Sequence, residues 1–350
     1  MTPAEPAVSV DGLSRRFDDV TAVSGVTFDV PAGTMLGIIG PSGSGKTTTI
    51  RMLMGSLAPS EGTVRVLGEE PTRFHRDTRE QIGYMPQAFV LYPDLTAGEN
   101  VDFVASLYGL FLLRRRRRTR EVLELLDLWG VRKRRAGALS GGMQRRLELA
   151  CTLVHDPRLL ILDEPTAGID PLLRRTVWDE LHRLRDTGVT ALVTTQYVTE
   201  AEECDLVALI SEGRLIGLAS PVDLRRDAFG GDIVEVTTTG TFDAAALETT
   251  PSVRRIRQTG LRDFRAIVDD AAVALPELVD AVAEAGAEVA SALEARPSFE
   301  EVFTELVEAD RRRRDGESEP EPATAPVAPS LPLGRPPGAD EDPDETEAVA

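Results

Sequence analysis

The sequence is short of the residues that build covalent or metallic scaffolds. Only two cysteines and three histidines occur in 350 residues. Cys151 and Cys204 lie far apart, without a CxxC spacing or a nearby histidine cluster. That excludes a disulfide framework and a zinc site, and fits a reducing cytosol. No run of about 18 apolar residues occurs, so no segment is expected to span a bilayer. The N-terminal "MTPAEPAVSVDG" lacks the basic and apolar regions of an export signal. Positive charge is scarce as well: 39 Lys and Arg face 58 Asp and Glu, and the net charge of −19 argues against general nucleic-acid binding.

Part of that deficit is local. From Asp315 onward ten acids stand against one Arg, in a Pro- and Ala-rich stretch that cannot bury enough apolar area to offset its ordering entropy. Residues 311–350 are therefore expected to form a disordered tail without chemistry. The chain, 42% hydrophobic over its 350 residues, can bury one large core or two moderate ones.

What is present is a set of phosphate-handling segments. An apolar strand from Met35 to Ile39 runs into Gly40-Pro41-Ser42-Gly43-Ser44-Gly45-Lys46-Thr47-Thr48 and a helix starting near Lys46. The pattern GxxxxGK[ST], with a strand before and a helix after, is a phosphate loop. Its glycines let backbone N–H groups turn toward an anion, and the helix N-terminus adds its dipole. Lys46 reaches the outer phosphates, and the Thr47 hydroxyl can ligate Mg²⁺.

A second apolar strand, Leu159 to Leu162, ends in Asp163 and Glu164. Two acids at the end of a buried strand are costly unless they meet a cation or a reacting water. Asp163 suits Mg²⁺ held through water beside Thr47, and Glu164 suits the general base that polarises the attacking water. Between the two segments, Leu139-Ser140-Gly141-Gly142-Met143-Gln144 opens another helix, a second N-terminus able to meet an anion.

In this order the three segments resemble the ATP-binding-cassette (ABC) family, over roughly residues 6 to 222. The resemblance implies an α/β fold: a P-loop NTPase cassette with a helical subdomain. It implies ATP and Mg²⁺ as cofactors, Phe17 stacked on adenine, and Gln87 touching Mg²⁺ and relaying to a membrane partner. It also implies that Asp170 lies in the loop crossing the dimer interface. In the family each signature covers the γ-phosphate held by the other subunit, so Ser140, Gly141 and Gly142 should act in trans within a homodimer. Met143 departs from the commoner Gln of the signature in a way shared by drug- and polyketide-export subunits.

Gln196, in "ALVTTQYVTEAEECD", stands where family members usually carry a histidine. Its amide can position a phosphate but cannot take up a proton or a charge. A glutamine there resembles the daunorubicin/doxorubicin-resistance type of subunit. Hydrolysis is expected to be active but slow, with Glu164, Gln196, Lys46 and Gln87 as its catalytic set and Thr47, Gln87 and Asp163 as the metal set.

Helical spacing in "GENVDFVASLYGLF" and "TREVLELLDLWGV" fits a helical subdomain, about 88–150, that receives a permease helix. The Arg114 to Arg118 run joining them reads as a solvated face or as contact with anionic headgroups near the permease, with no aromatic interleaving to suit nucleic acid. From Gly230 the order β-α-β-β-α-β-α suggests a small α+β, split-βαβ, ferredoxin-like domain, with a capping box at Ser298 and Glu301. It resembles the C-terminal extension of antibiotic-resistance cassettes. The domains are thus expected at 1–228 (cassette), 229–310 (regulation or assembly) and 311–350 (tail).

The combined expectation is the ATPase subunit of an ABC exporter, a homodimer held peripherally at the cytoplasmic face of the membrane by an ABC-2 type permease. It would bind no nucleic acid, touch the membrane through the permease, and move a drug, antibiotic or lipid-like cargo. The alternatives are a soluble ABC ATPase of translation or DNA repair, or a cassette that binds nucleotide with weak hydrolysis.

Overall fold

The computed structural model of the protein describes residues 5–88, 90–247 and 250–315. Of the tail expected to be disordered at 311–350, residues 311–315 instead end a helix that starts at Phe299, where Arg311 and Arg314 pair with Glu212, and 316–350 lie outside the described residues. The first part of the chain comprises β1 (Val8–Phe17), β2 (Val20–Val30), β3 (Met35–Ile39), α1 (Lys46–Leu53), β4 (Glu61–Val66), α2 (Arg76–Glu80), β5 (Ile82–Met85), α3 (Ala97–Leu107), α4 (Leu112–Leu125), α5 (Gly141–Leu153), β6 (Leu159–Asp163), α6 (Pro171–Asp186), β7 (Thr190–Thr195), β8 (Leu206–Ser211), β9 (Arg214–Ala219) and α7 (Pro221–Phe229). There follow β10 (Asp232–Thr238), β11 (Val253–Gln258), β12 (Asp263–Val268), α8 (Ala271–Glu284), β13 (Val289–Ala295) and α9 (Phe299–Asp315).

Strands that are apolar on both faces form the centre. Every residue of β3, β6, β7 and β8 is buried, the pattern of a parallel sheet covered on both sides. The sheet order is β5-β6-β7-β3-β8-β9, parallel except for the β8–β9 hairpin. That hairpin turns on Glu212 and Gly213, both at positive φ (50° and 78°), as the right-handed strand twist demands of a two-residue loop. On one face, α1 inserts Ile50, Met52 and Leu53 between the central sheet and a three-stranded antiparallel sheet of order β2-β1-β4. On the other face, α3, α4, α5 and α6 share a second apolar core.

The helices start where local chemistry allows. Thr96 and Glu99 form a capping box at α3, and Ser140 and Asp170 accept from the third backbone N–H of α5 and α6. The Arg114 to Arg118 run does not join two helices. It lies inside α4, because arginine is a good helix former and Leu112 and Leu113 extend the helix backwards.

β10 to β13 form an antiparallel sheet of order β11-β12-β10-β13, the split-βαβ arrangement, with α8 packed over one face through Ala271, Ala274, Leu278 and Val282. Among the described residues, the first crossover holds a 3-10 turn at Ala244–Leu247 where a short helix is expected from the sequence. Ser298 and Glu301 make the reciprocal pair of a capping box, Ser298 N–H to Glu301 Oε2 at 2.9 Å and Glu301 N–H to Ser298 Oγ at 3.3 Å. Helix α9 does not join the core of this sheet. Phe299 and Val302, 1% and 0% exposed, belong to the core shared by α3 to α6, and α9 packs on α7, β9 and the 3-10 turn Val198–Glu203.

Candidate functional site

The parallel strands deliver their carboxyl ends to one edge, where open α/β sheets keep their chemistry. At the end of β3 the phosphate loop passes so close to β8 that a Cβ on Gly40 would stand 2.0 Å from the Ile210 carbonyl oxygen. Gly45, at φ 105°, turns the chain into α1 in a conformation open to glycine alone. It leaves α1 without a side-chain cap and without an acid in its first turn, so the leading N–H groups and the helix dipole face outward for an anion. Ser44 is buried with a hydroxyl that has no partner; Pro41 and Ser42 are exposed and Thr48 is half-buried.

Lys46 is folded over this loop. Its Nζ donates to the carbonyls of Gly40 at 2.7 Å and Pro41 at 3.1 Å. Burial pulls the ammonium below its ordinary pKa, against the opposing pull of the Glu164 and Asp163 carboxylates.

Asp163, at the end of β6, is fully buried. Its Oδ1 accepts from the Thr194 hydroxyl at 2.5 Å and from Thr47 Oγ1 at 3.4 Å, while Oδ2 has no partner. An orphaned carboxylate oxygen beside a threonine hydroxyl and a lysine is a costly arrangement in a dry interior, and it fits a hydrated divalent cation. Glu164 sits at φ 53°, unusual for a residue with a side chain. It is held there by its N–H to the Thr194 carbonyl at 3.1 Å and to the Thr194 hydroxyl at 3.0 Å. Its Oε2 accepts from Gln87 Nε2 at 3.2 Å.

Lys46, Thr47, Gln87, Asp163 and Glu164 are therefore together. Gln196 follows β7, whose Thr194 and Thr195 stand in register with Asp163 and Ile39, and its side chain is exposed at the same edge. Phe17 ends β1, 42% exposed, with the Arg15 guanidinium 4.7 Å from its ring centroid. Ser140 and Gly141 are exposed at the start of α5, and a Cβ on Gly142 would lie 3.7 Å from the Gly168 carbonyl in the loop that leads to Asp170. Among the described residues no hydrogen bond links Ser140, Gly141, Gly142, Asp170 or Phe17 to the Lys46 loop.

One functional group is absent from the motif reading. The Arg145 guanidinium, 3% exposed, donates from Nη2 to the carbonyls of Asp163 at 2.6 Å and Glu164 at 2.7 Å. From Nη1 it reaches Pro86 O at 3.0 Å, Gln87 O at 3.3 Å and Glu148 Oε2 at 3.0 Å. The planar fork thus ties the helix that starts at Ser140 to both the glutamine loop and the acidic strand end. Burial raises the Glu148 pKa, opposed by the Val90 N–H and by Arg145. The available signal was the i, i+3 pair of Arg145 and Glu148 flanked by Leu147 and Leu149: a charged pair on an apolar helical face needs partners inside.

Most of the chain has a counterpart. It is 36% identical over 314 residues to the daunorubicin resistance ATP-binding protein DrrA3 of Streptomyces coeruleorubidus, covering 89% of this chain and 99% of that protein. The chain belongs to the ATP-binding proteins of ABC transporters. The ABC transporter family model matches residues 23–167 of this ABC subunit, and the model of the DrrA1-3-like C-terminal domain matches 221–307. The Nod factor export ATP-binding protein I of Ralstonia nicotianae is 41% identical, covering 66% of this chain and 72% of its own. Among solved structures, an ATP-binding subunit of an ABC transporter aligns with TM-score 0.59 at 29% identity, over 63% of this chain and 92% of that one. A dimeric cassette in a post-hydrolysis state with ADP and Pi aligns with TM-score 0.56 at 26% identity, over 61% and 98%. The P-loop cassette with a C-terminal α+β sheet is thus the fold of an ATP-binding, ATP-hydrolysing subunit of an ABC exporter, and the translation or DNA-repair reading is set aside. Among the described residues no helix is long and apolar enough to cross a membrane.

Proposed function

We propose that two copies of this ABC subunit clasp two Mg·ATP molecules head to tail and drive a separately encoded ABC-2 type permease from the cytoplasmic face of the membrane. The cargo is a drug, antibiotic or lipid-like molecule, in keeping with the names of the relatives. The observation that carries the reading is the convergence of Lys46, Gln87, Asp163 and Glu164 on one strand edge beside an uncapped helix.

Each residue has a role there. The N–H groups of Gly43 to Thr48 and the Lys46 ammonium bind the phosphates, and Phe17 stacks on adenine once Arg15 yields its face. Thr47, Asp163 and Gln87 would hold Mg²⁺, which would supply charge neutralisation at the phosphates. Glu164 takes the proton of the attacking water, and Gln87 fixes the carboxylate that does so. Gln196 donates an amide hydrogen to the γ-phosphate without adding charge, so turnover is slower than an imidazolium would allow. Ser140, Gly141, Gly142 and Asp170 serve the opposite copy's site. Residues 1–228 then form the motor and 229–310 a regulatory or assembly domain.

Mixing two inactive full-length variants with the permease tests the trans arrangement. A chain with Lys46→Ala and a chain with Ser140→Arg each lack both sites as homodimers, but their mixture contains one intact composite site and should regain ATPase activity. A mixture as inactive as its components would overturn the head-to-tail reading.

A further inference from the structure

At the turn from α3 to α4 the chain breaks several local rules at once. Phe111, Leu112 and Leu113 are consecutive and 87%, 64% and 84% exposed, and Leu107 at the end of α3 is 63% exposed. Single exposed apolar residues are ordinary, but a contiguous group marks an interaction surface. Helix α4 begins there with no side-chain cap and no acid in its first turn, although the positive end of a helix favours acids. Arginines come instead. Arg117 pairs with Glu121 at 3.3 Å, and Arg118 with Glu121 at 2.9 Å and Asp156 at 3.6 Å. Arg114, Arg115 and Arg116 have no acidic partner among the described residues, in a protein whose net charge is −19. Folding gains nothing from this combination, and such local conflicts concentrate at functional surfaces.

We propose that this tip, Leu107 with residues 111–116, docks on the surface of an anionic phospholipid bilayer. The protruding Phe and Leu side chains enter the boundary between headgroups and acyl chains, while the guanidiniums remain at the level of the lipid phosphates. The charge complements an anionic leaflet. A nucleic acid would take the arginines but leave three leucines in water and use one aromatic ring. The position agrees: Tyr108, next to Leu107, lines a cavity with Tyr84, Val90, Leu91 and Tyr92, beside the glutamine loop. The inference rests on the transporter reading only in that the subunit works beside a membrane.

The full chain, without permease or ATP, would be floated with vesicles of phosphatidylglycerol and phosphatidylcholine and with pure phosphatidylcholine vesicles. Binding to the anionic vesicles alone is expected, weakening as salt rises. Arg114→Gln with Arg116→Gln should lower the partition coefficient by about 25-fold, at about fivefold per arginine. Phe111→Ser with Leu113→Ser should lower it by about tenfold or more at fixed salt. Thermal melting and fluorescent-nucleotide binding of both variants should match the parent, which separates this surface from the nucleotide site. No flotation, equal flotation on neutral vesicles, parent-like flotation of both variants, or binding to single-stranded RNA or an acidic polypeptide in place of vesicles would each overturn the proposal. The mixing experiment above can fail without touching this result.

Discussion

The six-stranded sheet of this subunit is buried on both faces at its centre, the four-stranded sheet alternates buried and exposed residues, and the two do different work. In the first, β5, β6, β7 and β3 run parallel, so the loops after Met85, Asp163, Thr195 and Ile39 all leave from one edge. In the second, every neighbour is antiparallel, and successive strand ends alternate between edges. Chemistry that needs a lysine, a glutamine and two carboxylates within a few ångströms can be assembled from the first pattern with short loops. The second offers a half-covered face and cross-strand pairs such as Glu235 with Arg265.

Substitutions along this contrast should grade accordingly. Glu164→Gln should lower kcat by about 10²- to 10⁴-fold while ATP affinity holds, measured by steady-state ATPase and nucleotide binding with the permease present; parent-like turnover would remove Glu164 as the base. Arg145→Ala strands Glu148 and four carbonyls in the interior, and the denaturation midpoint should report a loss of about 3–5 kcal/mol. Arg145→Lys, which keeps the charge but not the fork, should lower kcat more than it raises KM for ATP.

His155 gives a smaller, pH-dependent effect. It is buried, stacked on Tyr108 with centroids 3.7 Å apart, and contacts the Ile82 carbonyl at 3.2 Å. Burial pulls its pKa down to about 4 from an ordinary 6.5. Between those values the unfolded chain binds a proton that the native chain refuses, so stability is fully present above pH 6.5 and falls as pH drops toward 4. Up to about 3 kcal/mol is lost over that window. Urea titrations from pH 7 to 4 should show this slope, flattened in His155→Gln. At the far end of the series, Arg265→Ala breaks a half-exposed pair in the antiparallel sheet and should cost under about 1 kcal/mol, with ATPase activity unchanged.

Much of this was legible from residues alone. β3 was bounded at Met35 and Ile39 because an all-apolar run before a glycine loop leaves little choice, and the buried β6 was found one residue short of its end. The Arg114 to Arg118 run was misread as a joint, since charge drew more weight than helix propensity. The Arg145 tie was not visible: its partners are carbonyls at positions 86, 87, 163 and 164, and a backbone acceptor carries no side-chain signature. The packing of α9 was equally hidden, because an amphipathic stripe announces that it will be buried without naming the surface that buries it.

That last helix has a bearing on biogenesis. Phe299 and Val302 complete a core whose other members begin at Met35, so a nascent chain that has released every strand of the motor still carries an unfilled gap. The last two side chains of that core are therefore made only when nearly all of the described chain has left the ribosome. A messenger broken before codon 299 would encode a polypeptide with every ATP-binding motif but without the two buried side chains that finish this seam.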